Sequence, residues 1–399
     1  RMLAAEEPAS ASLDALTLPE TPMSIDLHPS QSVLAAGLIN GDVHVSTFDK
    51  DGHKDAFAYS LSTNSCRALR FSSSGDVLFS GYSDNSLICV DVTASGALVW
   101  RNDTAHRDPV SCCHVIDEAT IVSGDDSGAV KVWDIRQQKL AMTFDIFQDY
   151  VSDCFCDPTV DPGVLLATSG DGSLAAFDLR QRAVLGHTEQ ELDEELLSIS
   201  IIKQGRKVVV GSSEGSLLVY NWGQWDGASD CFPGHPESVE TILKMDESTV
   251  LTGSSDGFIR VVGIQPNKLY GLVGDHEGFN VEMMRWSSDR RFVASISHDS
   301  LVRFHDVSFL SEEDDDDTEE TGEAVIGRAA HNNEDDVINN ETSPDLLSHL
   351  AGPGVRNGSA RGTGGDGEGM DTDDSDSDTS QTAHNQTQPG GVAKKGEGG

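Results

Sequence analysis

The chain has 399 residues, with 27 Lys+Arg against 67 Asp+Glu and a formal net charge of −40. Such a surface is repelled by nucleic acid and by anionic lipid unless a basic patch intervenes, so neither nucleic acid nor a membrane is an expected partner. Its hydrophobic share of 37% is below the roughly 45–50% of an ordinary globular chain, which predicts that part of it does not fold; no run approaches the ~18 apolar residues that span a bilayer.

The opening stretch, Arg1 to Pro8, carries Glu6 and Glu7 and no apolar core, which is not the pattern of a secretory signal. An apolar alternation follows near Leu13–Leu18. Then one phrase recurs: an apolar run, a small residue or Gly, a polar or acidic turn often closed by Gly, and alternating apolars. Its turn positions are Asn40, Asp84, Ser127, Asp171, Glu214, Asp256 and Asp299, separated by 44, 43, 44, 43, 42 and 43 residues. Seven units of about 40–45 residues is the WD40 period, in which each unit is a four-stranded sheet and the sheets pack as blades of a ring. The second unit shows the pattern plainly. Ala68–Phe71 is the innermost strand, Val77–Ser80 the next, Leu87–Val90 the third and Ala97–Trp100 the outermost. The seventh unit has only three strands, over Val281–Trp286, Phe292–Ile296 and Leu301–Asp306. The Leu13–Leu18 segment has no partner of its own, so it is expected to supply the missing outer strand and close the ring.

The chain changes character after Leu310. Residues 311–399 hold 22 acidic and 5 basic residues, a net of −17, so the preceding 310 carry −23. Gly, Ser, Thr, Asn and Asp dominate this segment, too polar to offset chain entropy by burial, and it is predicted to be a disordered acidic tail. Within it, Pro344–Leu350 could fold on a partner, and Asp373–Asp378 with its two serines suits an acid-directed kinase. The expected organisation is therefore an N-terminal segment at 1–22 giving the closing outer strand, a seven-bladed all-β WD40 propeller over 23–310, and the tail at 311–399.

Seven cysteines (Cys66, Cys89, Cys112, Cys113, Cys154, Cys156 and Cys231) lie mostly in apolar runs and read as reduced core thiols. Cys154-Phe155-Cys156 is too tight for a zinc knuckle. His106, His235 and His276 precede innermost strands, where a His can bond a strand Ser or Thr and, through it, a turn Asp and a Trp. Blade periodicity explains them, and no nucleophile context or phosphate loop accompanies them, so no enzyme activity, cofactor or metal is expected. Two positions exceed structural need. Trp133-Asp134-Ile135-Arg136 and Phe177-Asp178-Leu179-Arg180 end the third strands of units three and four. In each the aromatic packs between blades and the Asp fixes the following turn, while the Arg has no obligatory fold role. Two such guanidinium forks on adjacent blades predict a docking patch for an acidic or carbonyl-rich protein surface.

The third-unit phrase Ser123–Asp134 and the fourth-unit phrase Ala167–Leu174 resemble those of the WD repeat-containing protein 55 family. So does the sixth unit, Ile259–Gly271, in which the Trp-Asp pair is lost and Ile264-Gln265-Pro266-Asn267 is similar to that family's Ile-Leu-Pro-Asn segment. The resemblance implies a protein-binding scaffold, a monomeric ring acting in ribosomal RNA processing and ribosome biogenesis with pre-ribosomal factors as partners. It places the protein in the nucleus and nucleolus, with the cytoplasm as the alternative. Plant members resemble substrate receptors of cullin-4 ubiquitin ligases, docking the ligase's adaptor through a Trp-Asp-x-Arg box. Carried over, that box is Trp133, Asp134 and Arg136, and a second, with Phe in place of Trp, is Phe177, Asp178 and Arg180. The tail departs from the basic C-terminal clusters of the family, with only Lys394 and Lys395 amid acid, which weighs against direct RNA contact.

Overall fold

A computed structural model describes residues 13–50, 52–188 and 194–310; the segment from Ser311 onward, for which disorder is expected, lies outside the described residues. Within them the chain forms seven four-stranded antiparallel sheets. The first strands of the sheets are Pro22–Leu27, Cys66–Phe71, Val110–Asp117, Val151–Phe155, Leu196–Ile202, Val239–Lys244 and Met283–Trp286. Each of these touches the first strand of the sheet before and after it, and the last touches the first, so they line the axis of a closed ring. The sheets are thus the blades of a seven-bladed propeller, numbered 1 to 7 in this order. Among the described residues the only helical piece is a 3-10 turn at Ser308–Leu310.

Two-residue periodicity explains why the blades need each other. Along Val164–Ser169 of blade 4, Val164 and Leu166 pack with blade 5, while Leu165 and Ala167 pack with blade 3. Both faces of the sheet are therefore apolar, and the strand reads as a continuous hydrophobic run rather than a half-polar alternation. The buried apolar side chains sort into seven clusters, one at each interface between neighbouring blades. Each fully buried Leu or Ile contributes about 1.5–3 kcal/mol, so no blade is stable with one face uncovered.

The recurring Gly of the repeat phrase has a packing cause. A Cβ on Gly124, in the second strand of blade 3, would stand 2.5 Å from Val151 Cβ of blade 4. Gly81 and Gly253 meet Val110 and Val281 of their next blades in the same way. The Gly that ends the turn has a different cause: Gly128 has φ 89°, a left-handed conformation that costs a residue with Cβ energy.

Blade 7 takes its outer strand from the other end of the chain. Leu16 pairs with Val302 and Thr17 with Leu301, and the Leu18 N–H donates to the Ser300 carbonyl at 2.8 Å. Leu13, Leu16 and Leu18 fill the seam between blades 7 and 1. Six cysteines are buried, whereas Cys231 is exposed on the short outer strand Asp230–Pro233 of blade 5. That strand is clasped by the unusual turn of blade 6: Gln265 Nε2 and Asn267 Nδ2 donate to Asp230 Oδ2 at 3.2 and 3.0 Å. The segment most specific in sequence thus works as an inter-blade clip.

Candidate functional site

Blade 3 contains a buried polar chain. Trp133 Nε1 donates to Ser123 Oγ at 2.8 Å, Ser123 Oγ lies 2.6 Å from His106 Nε2, and His106 Nδ1 lies 2.7 Å from Asp125 Oδ2. The Trp must donate, so the serine hydroxyl donates to Nε2 and the neutral imidazole carries its proton on Nδ1 toward Asp125. Burial lowers the His106 pKa. Burial alone would raise Asp125, but bonds from His106, Ala129 and Ser127 outweigh it and hold its carboxyl below the usual range. The order Asp–His–Ser imitates a hydrolase triad. Yet Ser123 and Asp125 are fully buried, and the indole N–H occupies the serine oxygen where a substrate would need to approach. The chain fastens the crossing from blade 2 to strands of blade 3. His235 bonds Thr252 Oγ1 at 2.8 Å and His276 bonds Ser295 Oγ at 2.7 Å, fastening blades 6 and 7 likewise. Among the described residues no group of three or more His, Cys, Asp or Glu could hold a metal ion.

The two Asp-x-Arg turns stand on the opposite rim, between third and outer strands. Each is built on a bond repeated around the ring, in which the residue after the Asp donates its N–H to the turn between first and second strands. Ile135 donates to the Ala119 carbonyl and Leu179 to that of Gly163, both at 2.8 Å. Trp133 is buried against Trp100, ring centroids 5.8 Å apart. Asp134 accepts from the Gln137 backbone N–H at 2.9 Å and from Gln137 Nε2 at 2.7 Å, which closes the turn. Arg136 is exposed at its tip, and among the described residues it makes no ion pair. In blade 4, Phe177 is fully buried and stacks on Phe144 with centroids 4.4 Å apart. Asp178 Oδ1 accepts from the Arg180 and Gln181 N–H groups at 2.8 Å each.

The two arginines differ. Arg180 pairs with Asp161 at 3.3 Å and lays its guanidinium over Gly163, where a Cβ would come within 2.7 Å of Cζ. Its side chain is still 66% exposed, so the pair is weak and can exchange for a partner's carboxylate. The six residues expected at the rim thus separate into two buried aromatics, two turn-fixing aspartates, one free arginine and one tethered arginine. Gly163 and Asp161 were legible only as turn residues, because nothing in their spacing shows that they lie beneath the arginine of a neighbouring turn.

A closed seven-bladed ring of this repeat, with aromatic-Asp pairs ending the third strands of blades 3 and 4, is a WD40 β-propeller, a fold whose typical use is non-catalytic scaffolding. The chain belongs to the WD repeat-containing protein 55 family: the WDR55 family model matches residues 13–310. It is 37% identical over 299 residues to WD repeat-containing protein 55 of Arabidopsis thaliana, covering 72% of this chain and 81% of that one. With WD repeat-containing protein 55 of Homo sapiens it shares 35% over 294 residues, covering 73% and 76%. A Dictyostelium discoideum homolog of the same name is 35% identical over 292 residues, covering 73% and 70%.

Proposed function

We propose that the protein is a non-catalytic scaffold in ribosomal RNA processing and ribosome biogenesis, working in the nucleus and nucleolus. The observation that carries this reading is family membership across the whole propeller, residues 13–310. A rigid ring with two faces and a periphery gives several separate protein-docking surfaces without a reaction centre.

The second reading is a substrate receptor of a cullin-4 ligase, and Arg136 favours it. Its turn is already fixed by Asp134 and Gln137, so its exposed guanidinium serves no contact within the described residues. A preorganised fork of this kind suits a partner's carboxylate or carbonyl groups. Affinity purification of the wild type and of the Arg136→Ala/Arg180→Ala variant tests both readings. A receptor loses the ligase adaptor in the variant, while a biogenesis factor keeps pre-ribosomal particles. Recovery of neither partner from the wild type removes both readings.

A further inference from the structure

The face opposite Arg136 opens into a cavity of about 230 Å³ on the ring axis. Its mouth is set near the start of the first strands, six of which carry a bulge with one extra residue just after the inter-blade crossing, while Glu282 directly precedes the seventh. At that level stand Arg67, Ser111, Ser152, Glu240 and Glu282. The charges there do not balance. Arg67 is neutralised by Asp126 at 2.6 Å. Glu240 receives hydroxyl bonds from Ser238 and Ser255 at 2.6 and 2.8 Å, both on Oε1, which leaves Oε2 free of any side-chain donor among the described residues. Glu282 meets His298 at 2.9 Å, an imidazole 59% exposed. Burial pushes the Glu282 carboxyl upward; His298 opposes this and nearby Glu240 adds to it. Deeper in the channel the charges do balance, with Arg285 3.5 Å from Asp26 and with Arg70 and Asp153 completing the set.

Carboxylates on a rim are ordinarily just solvated. Here they top an open-mouthed cavity, and an exposed aromatic lies on the crossing that leads to them. Phe279, on the crossing that leads into Glu282, is 50% exposed, and its backbone is pressed against the Gly257 turn of blade 6. We propose that this mouth docks a basic peptide segment, whose arginine side chain enters the cavity between Glu240 and Glu282 while an adjoining apolar residue lies on Phe279. The planar guanidinium has donors on three nitrogens, which matches acceptors set on separate blades, the two carboxylates and the hydroxyls of Ser111 and Ser152. An ammonium group would satisfy fewer of them. A mouth with surplus carboxylate, near an exposed ring, also favours a cation flanked by apolar surface.

The test is fluorescence anisotropy of a labelled peptide, Ala-Phe-Arg-Ala-Phe-Arg amide, with the full chain at physiological salt. Saturable binding is expected. Glu240→Gln with Glu282→Gln should weaken it about tenfold, Phe279→Ala about threefold, and a lysine version of the peptide should bind less tightly than the arginine one. A variant with Asp314, Asp315, Asp316 and Asp317 changed to Asn controls for attraction to the acidic segment and should bind as the wild type does. No saturable binding, unchanged affinity in the double glutamine variant, equal or tighter binding of the lysine peptide, or a loss that follows the Asp→Asn changes instead would overturn the proposal. If the double variant loses its cooperative melt, the exposed Phe279→Ala decides alone, and unchanged affinity there sinks the idea.

Discussion

Blades 3 and 7 use the same positions for their buried polar chains and fill them differently. Blade 3 has His106, Ser123, Asp125 and Trp133, each bonded to the next. Blade 7 has His276, Ser295, Ser297 and His305. There Ser295 Oγ is shared between His276 Nε2 at 2.7 Å and His305 Nε2 at 2.8 Å, and His305 stands where the Trp would be. Among the described residues His276 Nδ1 and Ser297 Oγ have no partner, whereas their counterparts in blade 3 are satisfied. Blade 7 is also the blade assembled from both ends of the chain, through a strand of two residues, Leu16–Thr17. The contrast teaches that a closed ring shares stability among its members. A blade with unmet polar groups and a borrowed strand persists because both of its neighbours bury it.

The harshest way to break this arrangement is to open the seam. Leu16→Asp puts a charge into the cluster formed with Val302 and Phe304. It should cost about 3–5 kcal/mol. Because every blade depends on two neighbours, the loss should appear as one lower cooperative transition in thermal melts followed by circular dichroism. A separate, early transition confined to blade 7, with the other six blades melting as before, would show that the ring does not share its stability.

A smaller effect sharpens the comparison between the two polar chains. Asp125→Ala in blade 3 leaves the buried imidazole N–H and the N–H groups of Ser127 and Ala129 without their acceptor. It should cost about 3 kcal/mol. Ser297→Ala, at the matching place in blade 7, removes a hydroxyl that bonds nothing among the described residues. Its effect should stay within about 0.5 kcal/mol. Urea denaturation of the two variants measures both, and equal losses would mean that the hydroxyl of Ser297 has a partner after all.

The seven-bladed ring could be read from spacing alone, because each blade repeats one set of turn chemistry and its strands leave two apolar faces that only neighbours can cover. The buried aromatics Trp133 and Phe177 and their turn-fixing aspartates were legible for the same reason. What escaped the sequence lies in contacts between turns far apart in the chain and between blades. Nothing near Arg180 in the chain announces that it rests on Gly163, and nothing near Glu282 announces that it faces Glu240 across one cavity. The first contact depends on how two turns of blade 4 lie over each other, and the second on how far the ring rotates from blade to blade; the period fixes the number of blades without fixing either. Blade 6 lacks the Trp-Asp pair at the end of its third strand. In space its Gln265-Pro266-Asn267 turn gains a bond to Asp230 of blade 5.

Acid gives the mildest and most local test of the contrast. Burial is the first cause holding His276 and His305 down to about 4, and nearby Arg303 contributes to both. When blade 7 opens, these rings return to the ordinary value near 6.5. Their folded pKa is the lower one, so the open state binds more protons between about pH 6.5 and 4. Stability is full above that window and falls as pH drops through it. At pH 5 the shift favours opening by about 1–2 kcal/mol for each histidine, less for the partly exposed His305 than for fully buried His276. In blade 3, burial likewise holds His114 down to about 4, but the lowering of His106 is opposed by Asp125, so blade 3 should lose less than blade 7, where both rings are held near 4. Hydrogen exchange followed by mass spectrometry can compare the strands at 292–306 with those at 120–134. Protection at 292–306 should fall faster between pH 7 and pH 5, once intrinsic exchange is corrected for. Parallel loss in both regions would place the acid sensitivity in the whole ring, and the missing Asp of blade 7 would then have no separate consequence.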